Sequence, residues 1–197
     1  MIDRAMDYAR KIFEGDASGH DFDHTMRVFH MATTIAREEN ADLQTVQLAA
    51  LLHDVDDRKL SPQTYEHKDN AVRFLRDNSV EEDKIRTIVE IISQISFSAG
   101  NGTPSTLEGM CVQDADRLDA IGAIGIGRAF AFGGSRGRRI HDPEGKDTTT
   151  TIQHFYDKLL LLKDRMNTAT GKNLANMRHQ FMESFLQQFY AEWNGNR

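Results

Sequence analysis

The sequence has little cysteine, little proline and no long apolar run, and each scarcity excludes a class of protein. A single cysteine, Cys111, rules out an intrachain disulfide and fits a reducing, cytoplasmic environment. Only three prolines occur in 197 residues, so most of the chain is free to be helical. No apolar run approaches the ~18 to 20 residues of a membrane span, and no N-terminal stretch resembles a signal peptide. We therefore expect a helical cytoplasmic protein with no membrane partner.

Acidic residues outnumber basic ones, which disfavours one large class of partners. The chain has 24 Lys and Arg against 30 Asp and Glu, a formal net charge of −6. This balance argues against a nucleic acid polymer as a partner. A small anionic substrate is still compatible where cations cluster locally, as they do in one glycine-rich stretch at Arg136, Arg138, Arg139 and Lys146. A phosphate-binding loop and a solvated basic loop both fit that cluster.

Apolar residues recur at helical spacing over most of the chain. The length, with 39% hydrophobic residues, is that of one ordinary globular domain. We therefore predict an all-α single domain over residues 1–197. The predicted helices cover about 2–14, 22–40, 43–55, 61–77, 79–97, 114–132, 151–166 and 170–193, and the loops 99–106 and 133–151, the second being a candidate lid or binding loop.

Three of the predicted helices carry further expectations. The segment 43–55 is apolar nearly all round, which predicts a central, buried helix. The isoleucines of 79–97 are β-branched, so a strand is conceivable, but the acidic residues 81–83 favour a helical first turn. In the last helix, Phe181, Phe185 and Phe189 repeat every four residues. Core packing is the favoured interpretation of that stripe, and a homodimer interface is the alternative.

One set of polar residues indicates chemistry rather than structure. His53 and Asp54 end the apolar run 49–52, with His24 upstream and an acidic segment, 114–119, downstream. A charged carboxylate is costly to bury unless it is paired, hydrogen-bonded or bound to a cation. Two imidazoles and two carboxylates from three segments form a mixed nitrogen and oxygen site that suits a divalent metal. The alternatives are aspartates that cap helices and a histidine that is satisfied in the core.

The order H…HD…D resembles the signature of the HD phosphohydrolase superfamily. Residues 19–28, 51–57 and 112–125 are similar to its three motifs, and the third match is close. The continuation into 154–159 and 168–172 resembles a bacterial subfamily of small, stand-alone HD hydrolases, so the resemblance covers almost the whole chain.

This resemblance implies a fold and a ligand set. The fold would be a helical bundle around a metal, with a motif-bearing core at about 20–132 and C-terminal helices at about 151–193 packed on it. The implied ligands are His24, His53, Asp54 and Asp116, because the family's ligand is the second aspartate of the Asp-Ala-Asp motif, which disfavours Asp114 and Asp119. One divalent ion is expected, Mn²⁺ first, although nitrogen and oxygen donors also tolerate Mg²⁺, Fe²⁺, Ni²⁺, Co²⁺ and Zn²⁺.

Several residues near these ligands are candidates for catalysis and substrate binding. Asp57 lies one helical turn beyond Asp54 and is a candidate general base, with surface solvation as the alternative. Arg27 follows His24 by three residues and Arg117 adjoins Asp116, so both are candidate phosphate clamps, with a structural ion pair as the alternative. Weaker candidates for substrate contact are His20, Asp119, Arg128, His154 and Lys158.

The resemblance implies hydrolysis of a nucleotide by metal-activated water. The favoured substrate is a nucleoside or deoxynucleoside triphosphate, cleaved to monophosphate and pyrophosphate. One alternative is a nucleotidase or phosphomonoesterase that releases inorganic phosphate. Another, from a different class, is a sensor that binds nucleotide or metal without turnover.

Overall fold

The computed structural model of the chain describes residues 1–15, 21–58, 60–95 and 102–196. Every regular element within these ranges is a helix, which confirms the all-α prediction. The backbone forms two compact units, residues 1–116 and 117–197, and a single domain over the whole chain stays a prediction. The α-helices are α1 (Ile2–Ile12), α2 (Phe22–Glu39), α3 (Leu43–Leu52), α4 (Asp69–Asp77), α5 (Glu82–Ile95), α6 (Leu107–Asp119), α7 (Gly122–Ser135), α8 (Thr151–Asp157) and α9 (Ala169–Trp193).

The first unit is built around α3. This helix packs against α1, α2 and α5, while α4 packs against α5. The buried α3 and its packing on α2 were both predicted, and the fully buried apolar residues of α3 are Val46, Leu48, Ala49, Ala50, Leu51 and Leu52. Aspartates start the two packed helices, since the Asp21 carboxylate accepts the His24 N–H at 2.8 Å and that of Asp42 accepts the Thr45 N–H at 2.7 Å.

The predicted ends of α3 and the predicted start of α4 were wrong. Helix α3 ends at Leu52 rather than at about residue 55, and the next residues form turns. Helix α4 begins at Asp69 rather than near Pro62. Its N-cap, Lys68, has a left-handed backbone (φ 55°), which separates α4 from the turns before it. Pro62 suits the first turn of a helix and suggested that start, but it lies in a turn.

The segment predicted as one helix over 114–132 contains the end of α6 and most of α7. Helix α6 begins earlier, at Leu107, where the Thr106 hydroxyl accepts the Gly109 N–H at 3.0 Å. Helix α6 then ends, and α7 begins at Gly122, whose φ of 75° favours glycine. A Cβ at Gly122 would lie 3.0 to 3.2 Å from side-chain carbons of Arg178, so this position also permits a close approach.

In the second unit α7 packs against α8 and α9. Helix α7 extends to Ser135, and α8 ends at Asp157, where a 3-10 helix (Leu159–Arg165) replaces the predicted α-helix. Along the phenylalanine stripe of α9, Phe185 is half-buried and stacks on the buried Phe155, whereas Phe181 is 52% exposed. The core-packing interpretation was therefore wrong for Phe181, and the homodimer stays a prediction. No helix in the described ranges combines the length and apolarity needed to cross a bilayer.

Candidate metal centre

Helix starts and ends determine where the metal-ligand candidates lie in the first unit. His24 lies in the first turn of α2, where the Asp21 cap holds its backbone. His53 is the C-cap of α3, and Asp54 lies in the following turn. Asp116 lies in α6, one turn before that helix ends. Three separate segments thus contribute the four side chains, as the sequence predicted.

Three of the four side chains form one tight cluster. Ligand atoms of His24, His53 and Asp54 all lie within 4.8 Å of one another. The Nε2 atom of His53 is 3.1 Å from Asp54 Oδ2, and His24 Nε2 is 3.6 Å from the same oxygen. Two ligands that each lie about 2.1 Å from one ion are at most about 4.2 Å apart. Both nitrogen-to-oxygen distances fit that limit.

Asp116 joins this cluster through His24. Its Oδ1 atom is 3.4 Å from His24 Nε2, although Asp116 is not among the three residues whose ligand atoms are all mutually close. Burial raises the pKa of the Asp116 carboxyl, but the hydrogen bond and charge of His24, and the charge of His53, outweigh burial and lower it. The carboxylate is thus in its ionised, metal-binding form at neutral pH.

The imidazole of His53 is oriented for a metal. Its Nδ1 atom lies 2.8 Å from the Ala50 carbonyl oxygen, so Nδ1 carries a proton and donates it. The Nε2 atom then faces the carboxylate of Asp54. A backbone carbonyl behind a ligating histidine is a common support in metal sites, since it fixes both tautomer and ring orientation. The two rings meet edge to face, with centroids 5.4 Å apart.

The electrostatics of the cluster favour a cation. Burial by itself would lower the pKa of His53, but the charge and hydrogen bond of Asp54, followed by the charge of Asp116 and the Ala50 carbonyl, raise it to about 9. Without a metal, the carboxylates therefore draw a proton onto His53. A divalent ion would supply the same positive charge and leave the imidazole neutral. The donor set and its charge both fit such an ion.

The cluster has a buried floor and a more open edge. The side chains of His24 and His53 are 1% and 4% exposed, whereas those of Asp54 and Asp116 are 15% and 24% exposed. The imidazoles thus lie at the protein side and the carboxylates nearer to solvent. An ion held here could reach water or a phosphate oxygen from the carboxylate side.

Two predicted substrate or catalytic residues lie in the same unit as the cluster. Asp57 is half-buried, and its N–H donates to the Asp54 carbonyl at 2.9 Å, so its backbone is fixed beside a metal-ligand candidate. Arg27 is half-buried on α2, one turn after His24. Their predicted roles stay predictions. His20 lies outside the described residues.

The other predicted contacts lie in the second unit. Arg117 is buried, and its guanidinium donates to the carbonyl oxygen of Arg165, which fits the structural alternative as well as the clamp. Asp119 is buried and pairs with Arg128 at 2.5 Å. Their roles in substrate binding stay predictions.

His154 and Lys158 lie one turn apart, and the Lys158 N–H donates to the His154 carbonyl at 3.1 Å. Burial, followed by the charges of Lys158 and Arg138, lowers the pKa of His154. The role of His154 and Lys158 in substrate contact stays a prediction.

Sequence reasoning missed Asp56 and Asn70. Asp56, between Val55 and Asp57, is fully buried. Its carboxylate accepts the N–H groups of Asn70 and Ala71 at the start of α4. The available signal was the crowding of three aspartates into residues 54–57 after an apolar run. Asn70 carried no comparable signal, because the Val55 and Thr64 oxygens to which its side chain donates lie six or more residues away.

Comparison with known proteins identifies the group to which this site belongs. The HD domain model matches residues 21–121, which include all four metal-ligand candidates. The chain belongs to the HD family. HD-superfamily hydrolases are metal-dependent phosphohydrolases, which confirms the resemblance drawn from the sequence motifs. The divalent metal of HD domains agrees with the cluster, whereas the identity of the ion stays a prediction.

Relatives in the HD family match over nearly the full chain. Bacillus subtilis YpgQ is 41% identical over 196 residues, covering 95% of this chain and 91% of the relative. A crystal structure of an HD-superfamily hydrolase from Bacillus thuringiensis superposes with a TM-score of 0.85 at 41% identity, covering 98% and 96% of the two chains. The crystal structure of YpgQ in complex with ADP gives a TM-score of 0.84 at 36% identity, covering 97% and 94%.

Proposed function

We propose that this protein is a metal-dependent phosphohydrolase that cleaves nucleoside or deoxynucleoside triphosphates to the monophosphate and pyrophosphate. The observation that carries the proposal is the convergence of His24, His53 and Asp54, with Asp116 3.4 Å from His24, in a chain of the HD family. Membership of the family accounts for phosphohydrolysis, and the geometry accounts for the metal. The nucleotide is the further step.

The nucleotide is supported by a relative and by the charges of this chain. YpgQ, which is 36% identical in the superposed structure, was crystallised with ADP. A triphosphate carries several negative charges, and cations of this acidic chain cluster at Arg136, Arg138, Arg139 and Lys146, of which Arg139 pairs with Asp142 and Lys146 with Glu144. Local rather than general positive charge favours a small anionic substrate over a polymer.

Within this proposal the four candidate ligands would hold one divalent ion, with Mn²⁺ as the first candidate. Such an ion would supply Lewis acidity, polarising a phosphoryl oxygen and lowering the pKa of water. His24 and His53 would bind it through Nε2, because Nδ1 of His53 is bonded to the Ala50 carbonyl and His24 Nε2 faces both carboxylates. Asp54 and Asp116 would bind it through oxygens at the more exposed edge.

The remaining steps are assigned to the chain's own residues. The Asp57 carboxylate accepts the proton from the attacking water, as a general base. Water adds to the α-phosphorus while the bond to the pyrophosphate oxygen breaks, so the products are monophosphate and pyrophosphate. Arg27 binds phosphate oxygens and offsets the charge that develops on the leaving group. Arg117, whose guanidinium also donates to the Arg165 carbonyl, is the second candidate for a phosphate clamp.

Product analysis tests this proposal. Purified protein is incubated with a panel of ribo- and deoxyribonucleoside triphosphates in the presence of Mn²⁺, Mg²⁺, Co²⁺ or Ni²⁺, and pyrophosphate and orthophosphate are measured separately. We expect pyrophosphate and monophosphate in equal amounts, with Mn²⁺ the most effective ion. Orthophosphate as the only phosphate product would instead indicate a nucleotidase. Tight nucleotide binding without turnover would instead indicate a sensor.

A further inference from the structure

The turn that contains Asp54 is connected to the start of α4 by a buried carboxylate. Asp56 is 0% exposed, and its two oxygens accept the N–H groups of Asn70 and Ala71, each at 3.0 Å. The N-cap of α4, Lys68, makes no side-chain cap hydrogen bond. Asp56 therefore satisfies, from 14 residues away, the N–H groups that a local cap satisfies in most helices. Its negative charge also faces the positive end of the helix dipole.

Asn70 completes this connection from the other side. Its side-chain amide donates to the Val55 carbonyl and to the Thr64 hydroxyl, both at 3.1 Å. Its side-chain oxygen accepts from Arg73 at 2.8 Å, so the amide orientation is fixed. We call the hydrogen bonds of Asp56 and Asn70 across this turn the Asp56–Asn70 clasp. It joins the turn after α3, the loop before α4 and α4 itself.

The backbone at Asp54 lies in a turn between α3 and the residues that the clasp holds. Helix α3 ends at Leu52, so Asp54 lies outside its hydrogen-bonded ladder. The local bond from the Val55 N–H to the Leu52 carbonyl is long, at 3.4 Å. The next two residues, Val55 and Asp56, are the ones held by Asn70 and Ala71. The two residues that directly follow Asp54 are thus held from the start of α4.

We propose that Asp56 and Asn70 are positioning residues for the metal site, acting through Asp54 without touching the ion. This inference rests on the metal site of the proposed function. A metal ligand must be held within a few tenths of an ångström, and loss of a supporting residue typically weakens metal affinity by about 10- to 100-fold. The clasp also fixes Asp57, whose N–H donates to the Asp54 carbonyl in the same turn.

A purely structural clasp would contribute to stability alone, and helix α4 offers a matched control for that case. Asn78 is the C-cap at the other end of α4, where its amide donates to the Phe74 carbonyl at 2.9 Å and its oxygen accepts from Arg4 at 3.2 Å. Asn78→Ala therefore removes similar hydrogen bonds from the same helix, far along it from the Asp54 turn.

The experiment measures the Mn²⁺ dissociation constant, by electron paramagnetic resonance of free Mn²⁺, for the wild type, Asn70→Ala and Asn78→Ala. Each titration is made well below the melting temperature of all three proteins. We expect Asn70→Ala to weaken Mn²⁺ binding by about tenfold or more and Asn78→Ala by less than about twofold. This difference should not depend on how far the melting temperature of either variant falls. Asn70→Ser, which keeps a small polar side chain, takes the place of the alanine variant should that not fold.

The outcomes separate this inference from the proposed function. A wild type that binds no Mn²⁺ contradicts the metal site itself. A wild type that binds, with an Asn70 variant of unchanged affinity, overturns the positioning role and leaves the proposed function standing. Equal losses of affinity in the Asn70 and Asn78 variants also overturn it, since a general loss of stability would then explain both.

Discussion

The side chains of His53 and Asp54, which are consecutive in the chain, meet at 3.1 Å between Nε2 and Oδ2. Neighbouring residues within an α-helix point in different directions and do not face each other. Because α3 ends at Leu52, Asp54 lies outside the helix, and its side chain can face that of His53.

Asp116 is expected to be essential for metal binding. Asp116→Ala removes the carboxylate that lies 3.4 Å from His24 Nε2, so an ion would lose one of four donors and the site one negative charge. We expect loss of bound metal and of hydrolytic activity in a protein that still folds. Elemental analysis after incubation with Mn²⁺ measures the first, and full occupancy would remove Asp116 from the ligand set.

The effect of metal on stability should depend on pH through His53. In the metal-free protein its pKa is raised from 6.5 to about 9, so its proton contributes stability below about pH 6.5, and this contribution is lost as the pH rises through 9. A metal needs the neutral imidazole and displaces that proton. The rise in melting temperature caused by Mn²⁺ should therefore grow between about pH 6.5 and 8.5.

Thermal unfolding with and without Mn²⁺ at several pH values in that range measures this effect. His53→Gln provides the control, because it removes the titrating group and should flatten the dependence. A stabilisation by Mn²⁺ that is constant with pH in the wild type would contradict a role for His53 as a ligand.

Arg27 should affect turnover without affecting the metal. Arg27→Lys keeps the charge but loses the planar fork that binds two phosphate oxygens, so kcat/KM should fall about tenfold while metal content and melting temperature stay unchanged. Arg37→Lys, at an exposed position near the other end of α2, is the matched control and should leave kinetics unchanged. Arg117→Lys should lower the melting temperature as well, because the guanidinium bonds the Arg165 carbonyl. Unchanged nucleotide kinetics in Arg27→Lys would refute the clamp.

Gly122 should be the more sensitive of two glycines with similar backbones. Gly122 and Gly137 have φ values of 75° and 67°, so alanine carries a comparable backbone cost at both. Only Gly122 has a neighbour within 4 Å of the added Cβ, namely Arg178 at 3.0 to 3.2 Å, whereas nothing lies that close at Gly137. Gly122→Ala should lower the melting temperature by about 3 °C or more beyond Gly137→Ala. Equal losses would mean that Arg178 moves aside without cost.

The sequence predicted the parts of the fold that depend on local pattern. The apolar character of 43–55 indicated a buried helix, and aspartates before α2 and α3 indicated their starts. It did not predict that α3 ends at Leu52, because the hydrogen bonds that stabilise the turn come from Asn70 and Ala71, which are distant in sequence. Periodicity contains no information about such partners.

The same distinction applies to the site. The candidate ligands followed from residue type and from resemblance to the HD family, whereas the orientation of His53 depends on the Ala50 carbonyl and appears only in three dimensions. The break at Gly122 escaped prediction for a related reason. Glycines that pack closely inside a helix and a glycine that requires a positive φ look alike in a sequence.

One divalent ion is expected between His24, His53, Asp54 and Asp116. Anomalous diffraction from crystals grown with Mn²⁺ would locate such an ion by its own signal and is the sharpest test of this site. We expect one strong peak about 2.1 Å from Nε2 of both histidines and from an oxygen of each aspartate. A peak elsewhere, or one that lacks either histidine as a ligand, would rule out this metal site.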